Sequence, residues 1–470
     1  MTDNPIEQVI ALVKHVGTRI DALSLDLAQG GGAIVRDARA LAELARGRAT
    51  TFVRATPRVT RIAQAAAGVL ARQRWLRLVQ VAKTGTTALR DDDHRELARR
   101  VAGHAAELRG GIAKLGQLAS CRPDLVGAIW AGELAALQDE VPPVDPAAIR
   151  ARVEAELGRP VGEVFADFAA APLAAASLAQ VHAATLHDGT AVVVKVQVPG
   201  IEDVIAADIA ALAAIAGAIE LPGLDLATLS AELGRALARE LDYEAEADAL
   251  WAYTGAATVP VPIATASSRR VLTMTRIDGE RLVPWLERAS ADERDRLLGE
   301  LVGEVAAQIL VRGQVHADPH PGNFLVTGDG TLALVDFGCV LELTADERAA
   351  YARLVLAIGG GDPRTAAAEL AALGFRADDP ARLVELTGAL IGALRPGANV
   401  AELDWQAAFA EQVAHARALG GLAIPRSFVL LGRVLATVAG LLATYRPRIA
   451  LHPLIAHHLA NAVANRHAAS

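Results

Sequence analysis

Apolar and polar positions change period several times along the chain, and the changes divide it. Residues 1–30 read as a polar helix with an exit at Gly30-Gly31-Gly32. Residues 92–138 read as helices broken near Pro123, and Val141-Pro142-Pro143-Val144-Asp145-Pro146 as a turn-rich linker. From Pro172 to Gln197 short β-like runs appear, LAQVHAATL and AVVVKVQ. They are joined by His187-Asp188-Gly189-Thr190, whose Asp-Gly pair is a hairpin signal. Helix-like, alanine-rich sequence covers 201–219 and 226–252, and strands near 257–263 and 270–277 complete a small sheet. From Gly279 to about Tyr445 the chain reads helical, interrupted once by a loop and hairpin at 315–340. No internal repeat is apparent.

Composition agrees with a predominantly helical, folded chain. Of 470 residues, 52% are hydrophobic and only 4% aromatic, which favours alanine-rich helices packed through small side chains. The net charge of −8 argues against a whole-surface nucleic-acid binder. Cys121 and Cys339 are too few for a disulfide framework or a cysteine zinc site. One segment departs from the acidic average: from Arg46 to Lys83 there are nine basic side chains and no acid. With Trp75 and several aliphatics interleaved, it suits either an anionic membrane surface or docking on the acidic remainder of the protein. No secretory signal opens the sequence, and VLATVAGLLATY at 434–445, bracketed by Arg433 and Arg446, is too short to cross a bilayer untilted. A cytoplasmic protein without a transmembrane helix is expected, peripheral at most on the inner face of a membrane.

The densest chemistry is His316-Ala317-Asp318-Pro319-His320-Pro321-Gly322-Asn323, then strand FLV, the turn Gly328-Asp329-Gly330, strand TLALV and Asp336-Phe337-Gly338. An Asp, an Asn five positions later and a hairpin ending in Asp-Phe-Gly is the spacing of phosphoryl transfer. Divalent metal must neutralise the moving phosphoryl charge, so Asn323 and Asp336 are the candidate oxygen ligands for Mg2+. Asp318 is the candidate for orienting the attacking oxygen or accepting its proton. His316 and His320 are four apart, but Pro319 and Pro321 preclude a helix on which they would converge, so they read as loop-organising residues in preference to metal ligands.

Lys195, among valines on the second strand of the Asp-Gly hairpin, needs an anion or carboxylate unless it points to solvent. A nucleotide site supplies ATP phosphates on one side and a helical Glu, for which Glu246 is the candidate. The turn where a glycine-rich phosphate loop would stand is Ala174-Ala175-Ala176-Ser177, so nucleotide is expected to bind differently there. The fold class that follows is α+β, bilobal and protein-kinase-like, with a small β-containing N-lobe, a helical C-lobe and an N-terminal helical extension. The expected divisions are 1–100, 101–165, 166–278 (N-lobe), 279–445 (C-lobe) and a tail at 446–470.

From about Leu108 to Gly440 the chain resembles the UbiB/AarF/ADCK family of atypical protein-kinase-like ATPases. Lys114-Leu115-Gly116-Gln117 matches its KxGQ signature, PLAAASLAQVH its alanine-rich loop, and Glu240-Leu241-Asp242 its ExD signature. The resemblance implies that Lys195 and Glu246 form an ion pair, that Asp318 is the catalytic-loop acid, and that Asn323 and Asp336 bind magnesium. It puts Met274 at the gatekeeper and Thr275 at the opening of the hinge. It further implies a KxGQ helix that occludes the place of a protein substrate. Independently, Lys114 and Gln117 share a helix face, and Glu240 and Asp242 are candidates to receive Lys114. The passage from Gly338 through CVLEL to a capping-box start at Thr344-Ala345-Asp346-Glu347 leaves almost no activation segment. Ala317 stands where regulated kinases carry an Arg that pairs with an activation-loop phosphate.

The leading reading is an ATP/ADP- and Mg2+-dependent, lipid-facing ATPase or kinase-like protein, implied by resemblance to support isoprenoid-quinone biosynthesis or lipid handling. Its partners would be an anionic membrane surface, a lipid or quinone precursor and a second copy of the chain, with no nucleic acid. The alternatives are a small-molecule kinase of the aminoglycoside/choline type, which does not require Lys114, Gln117, Glu240 and Asp242, and a non-catalytic nucleotide-binding scaffold, against which Lys195, Asp318, Asn323 and Asp336 argue.

Overall fold

The computed structural model describes residues 57–86, 88–108, 110–120, 126–137, 143–218, 231, 234–235, 237–254, 257–317, 320–394, 397–402 and 423–464. The helix expected at 1–30, the basic stripe before Pro57, Cys121, Pro123 and Asp318 lie outside them. The chain divides into two compact units. One comprises residues up to Tyr243 together with Ala264–Thr273; the other comprises Glu244–Ile263 and everything from Met274 on.

In the first unit, helices α1 (Pro57–Thr84), α2 (Asp91–Leu108), α3 (Gly110–Ser120), α4 (Ala128–Leu134) and α5 (Pro146–Leu157) precede the strands. Asp145 caps α5 through Ala147 N–H, with Pro146 at its first position, and Gly158 closes it at φ +67°. Strands β1 (Phe165–Ala175), β2 (Ala179–Leu186) and β3 (Ala191–Gln197) follow, and α6 (Ile201–Ala218) runs on from them. The β2–β3 hairpin turns as its Asp-Gly pair requires: Gly189 takes φ +87° and Asp188 Oδ1 accepts from Thr190 N–H at 2.8 Å. In β3 the alternation puts Val192, Val194 and Val196 in the core and Lys195 on the other face. Strand β1 begins seven residues before the expected Pro172. Its register against β2 shifts three times, and as the edge of the sheet it tolerates that proline.

Helix α7 (Tyr243–Tyr253) carries the chain into the second unit, and β4 (Val271–Thr275) completes the order β1-β2-β3-β4. The strand expected near 257–263 is absent. Only isolated bridges form there, Thr258 to Ala333 and Pro262 to Met274. The β-branched composition suggests a strand, but Pro260 and Pro262 have no N–H to give a ladder.

The second unit continues with β5 (Gly279–Arg281), α8 (Leu282–Arg288), α9 (Ala291–Ala307) and a π-helical turn at Gln308–Arg312. Next come β6 (Gln314–His316), β7 (Phe324–Thr327), β8 (Leu332–Leu334) and β9 (Val340–Glu342). Helices α10 (Ala345–Gly359), α11 (Pro363–Ala372), α12 (Pro380–Leu390), α13 (Arg426–Tyr445) and α14 (Leu451–Ala464) complete it. The expected single hairpin is therefore two sheets, β5-β7-β8 and β6-β9. Strand β5 falls where helix was expected. It needs Gly279, because a Cβ there would meet Val326 O at 2.8 Å. The expected tail contains α14, whose Leu451, Ile455, Leu459 and Ala462 are buried. Pro453 is tolerated because it stands in the first turn, where no intrahelical N–H bond is lost. The apolar run at 434–445 is core: Val434, Val438, Leu441 and Leu442 are buried. Among the described residues no helix is long and apolar enough to cross a membrane.

Candidate functional site

In the first unit, α3 holds Lys114 and Gln117. Leu115 and Ala119 bury its other face in a core with Leu134, Leu137, Ile205 and Leu237. Two glycines permit that docking. A Cβ on Gly116 would lie 2.4 Å from Leu137 Cδ1, and one on Gly111 would lie 2.7 Å from Asp208 Oδ2. Lys114 Nζ meets Glu240 Oε1 at 2.7 Å, so the expected partnership forms. Asp242 faces Arg269 at 3.8 Å. Gln117 donates to Leu137 O at 3.3 Å, so it serves the connection after α4.

Lys195 is half-buried opposite Val181, with its Nζ 5.1 Å from the centre of the Tyr243 ring. Ala174 and Ala175 end β1, and Ala176 N–H bonds Ala179 O at 2.8 Å to close the turn that includes Ser177. None of these residues takes a positive φ, which is why alanine suffices where a phosphate loop would use glycine. Behind them His182 is buried. Its Nδ1 lies 2.9 Å from Ala169 O and its Nε2 3.2 Å from the Gln180 amide, and burial holds its pKa below the ordinary histidine value.

In the second unit the motif-bearing residues converge on one loop. The hairpin β7–β8 puts Phe324 opposite Leu334, and Val335 N–H bonds Asn323 O at 3.0 Å, so Asn323 and Asp336 emerge at the same end. Asp336 Oδ1 accepts from Gly338 N–H at 3.0 Å. A Cβ on Gly338 would lie 3.3 Å from that oxygen and 4.0 Å from Glu246 Oε2, so both carboxylates border one peptide. Glu246 is 3% exposed, in the α7 stripe that also buries Leu250 and Tyr253. Met274 is buried, and Thr275 is tied to Val261 in both directions, at 2.8 and 2.9 Å.

His316 and His320 organise the loop, as their proline flanks suggested. The His316 ring Nε2 bonds the Asp336 carbonyl, the His316 backbone N–H donates to Gln308 Oε1 at 2.9 Å, and His320 Nδ1 accepts from Gly322 N–H at 3.1 Å. Phe337 is wedged edge-on against His316 and Tyr253, with ring centres 5.0 and 4.7 Å apart. Tyr253 donates its hydroxyl to Gln314 O. Gln308, Tyr253 and Arg433, which donates to Ala317 O, are residues that sequence reasoning did not single out. A signal existed for Tyr253 alone, seven residues after Glu246 and hence on the same helix face. Downstream, β9 pairs with β6 and the Thr344–Glu347 capping box starts α10, so the activation segment is as short as expected.

Residues 136–370 match the ABC1 atypical kinase-like domain, half of the chain. The chain belongs to this family. That agrees with the UbiB/AarF/ADCK resemblance and with a kinase-like α+β fold. Lys114 and Gln117 precede the matched segment, while Lys195, Glu240, Glu246, Asn323 and Asp336 lie within it. Among family relatives, an aarF domain-containing protein kinase of Arabidopsis thaliana, described as chloroplastic, is 36% identical over 58% of this chain and 41% of its own. A probable protein kinase UbiB of Marinobacter nauticus is 37% identical over 56% of this chain and 51% of its own. The chain spans about half the length of the curated relatives it matches, between 41% and 65% for the first three. The fold is also that of a Mycobacterium tuberculosis protein solved as an erythromycin complex, with TM-score 0.55, 23% identity, and coverage of 77% of this chain and 97% of that one.

Proposed function

We propose that this ABC1-family chain binds ATP with magnesium and either hydrolyses it or transfers its γ-phosphoryl group to a small-molecule or lipid acceptor, in support of isoprenoid-quinone or lipid metabolism. The observation that carries the reading is the loop and hairpin from His316 to Gly338, which brings Asn323 and Asp336 to one end with Glu246 beside the same turn.

The donor set fits magnesium. Asn323 and Asp336 are hard oxygen donors that emerge at the same end of the β7–β8 hairpin. That suits an ion held by one or two protein oxygens and completed by phosphate and water. Bound there, magnesium supplies charge neutralisation at the phosphoryl oxygens. Lys195 is assigned to the nucleotide phosphates with Glu246 as its counter-charge, and Asp318 to orienting the attacking oxygen. Two features favour acceptors other than proteins. The chain runs from Gly338 to the α10 cap through one short strand, leaving almost no activation segment, and Lys114 of the KxGQ helix is latched to Glu240. A lipid-facing acceptor is supported by α1, on which Trp75 is 55% exposed.

The test is ATP turnover by the purified chain with and without magnesium, anionic liposomes and quinone-headgroup analogues. Asp336→Asn is expected to abolish turnover, by about a thousandfold or more, since it removes charge at the metal. Turnover retained in that variant would remove the proposed metal site. Wild-type turnover unmoved by liposomes and analogues would remove the lipid-facing acceptor.

A further inference from the structure

Ala317 is fully buried, and both its peptide groups are committed. Its N–H bonds Cys339 O at 2.9 Å. Its carbonyl receives Arg433 of α13, from Nε at 3.0 Å and from Nη2 as well. The preceding peptide is held in the same way, by Gln308 on the His316 N–H. The residue immediately before Asp318 is thus gripped by a guanidinium that arrives from 116 positions further along the chain. Regulated kinases carry an arginine at the Ala317 position and set the loop when that arginine meets a phosphate on the activation segment. Here almost none of that segment remains, and the guanidinium comes from a helix and holds the loop's own backbone.

We propose that Arg433 is a positioning residue of the catalytic loop, a built-in clamp that makes the loop geometry independent of phosphorylation. The proposal rests on the phosphoryl-transfer reading of the site. A charged donor with two N–H groups on one carbonyl fixes that peptide more firmly than a single neutral bond, and small displacements of catalytic groups cost rate out of proportion to their size. Lysine offers a single point donor on a flexible stem and cannot reproduce a two-point hold.

The experiment uses the full chain with Arg433→Met and Arg433→Lys. The control is Arg353→Met, which loses a comparable partly buried arginine that joins α10 to α11 in the same unit, bonded to Glu369 at 2.6 and 2.9 Å. Two readouts are taken: kcat and KM for Mg·ATP, and amide exchange of peptides covering 314–324. Arg433→Met is expected to lower kcat by about 10- to 100-fold with KM within twofold, on the scale of a misplaced catalytic group. Arg433→Lys should recover only part of the loss, and Arg353→Met should leave kcat unchanged. Exchange at 314–324 should rise in the Arg433 variants alone, and phosphatase treatment of the wild type should change nothing. Wild-type kcat and exchange in Arg433→Met, or an equal kcat loss in Arg353→Met, overturns the clamp. If the wild type turns over no ATP, the phosphoryl-transfer reading fails, and the exchange measurement still decides whether Arg433 holds the loop.

Discussion

The helices ahead of the sheet and the loop from His316 to Gly338 are held in place mainly by different chemistry. In the first, side chains meet side chains: Arg58 with Asp208 at 2.6 Å, Arg72 with Glu96 at 2.7 Å, Gln80 with Asp93 at 2.8 Å and Lys114 with Glu240 at 2.7 Å. In the second, side chains capture peptide groups: Gln308 on His316 N–H, Arg433 on Ala317 O, Tyr253 on Gln314 O and His316 on Asp336 O. A side-chain pair fixes where a helix lies, and losing one partner strands the other. A captured peptide fixes a backbone conformation, and losing the captor releases a loop. Those helices should therefore answer mutation through stability, and the loop through the order of one segment.

The largest expected effect breaks the pair that holds the most buried carboxylate. Asp208 is inaccessible, accepts both arms of Arg58 at 2.6 Å, and takes Ile112 N–H at 3.1 Å. Burial pushes its carboxyl up, against the pull of the guanidinium. Arg58→Ala leaves that carboxylate buried without its counter-charge and should cost about 3–5 kcal/mol at neutral pH, measured by denaturant unfolding. The sign of the pH dependence follows. A folded-state pKa above the unfolded one favours the protonated form, so the deficit should shrink as pH falls and grow as pH rises. A deficit independent of pH would mean that Arg58 contributes packing and little charge. Pairing Arg58→Leu with Asp208→Leu should recover most of the loss, which separates the stranded charge from the pair itself.

What could be read in advance follows the same division. The Asp188-Gly189 hairpin, the Thr344–Glu347 capping box and the Lys114–Glu240 pair are local or charge-complementary signals, and the structure contains all three. Glu246 was named because Lys195, among valines, demands a carboxylate and the kinase-like layout supplies it from a helix. Arg433 was not, because its acceptor is a backbone carbonyl 116 residues away, and every residue carries a carbonyl; for Tyr253 only the helix face was legible, not the carbonyl 61 residues away that it meets. Strand β5 was lost for lack of length, three residues, and 257–263 misled because β-branched composition hides two missing donors.

In the second unit the corresponding break is smaller and better localised. Tyr253 is fully buried, and burial raises its phenol pKa, so the hydroxyl stays a donor to Gln314 O across the stable pH range. Tyr253→Phe keeps the ring against Phe337 and removes only the bond. It should cost about 1–2 kcal/mol, since it leaves a carbonyl at the start of β6 unpaired. The midpoint of urea unfolding should fall with an unchanged slope, and amide exchange should rise at 314–317 before anywhere else. A uniform rise across both units would erase the contrast between captured peptides and side-chain pairs.

The smallest effect sharpens the comparison through pH. Ala169 O can only accept, so His182 Nδ1 carries the proton, and its Nε2 lies 3.2 Å from Gln180 Oε1. Burial first, only partly offset by the Ala169 bond, keeps this ring neutral. Because the folded-state pKa is depressed, its contribution is complete above the ordinary histidine value and is lost as pH falls through that value towards the lowered one. His458 in the second unit is held low as well, by burial and then by His457 and Arg312. Acid should therefore loosen both units, and His182→Gln should remove the step from β1–β2 alone. The measurement is amide exchange of 165–186 and of 451–464 at neutral and mildly acidic pH, in wild type and variant. If acid sensitivity disappears from both segments in His182→Gln, the two histidines titrate as one system, and the units do not respond independently.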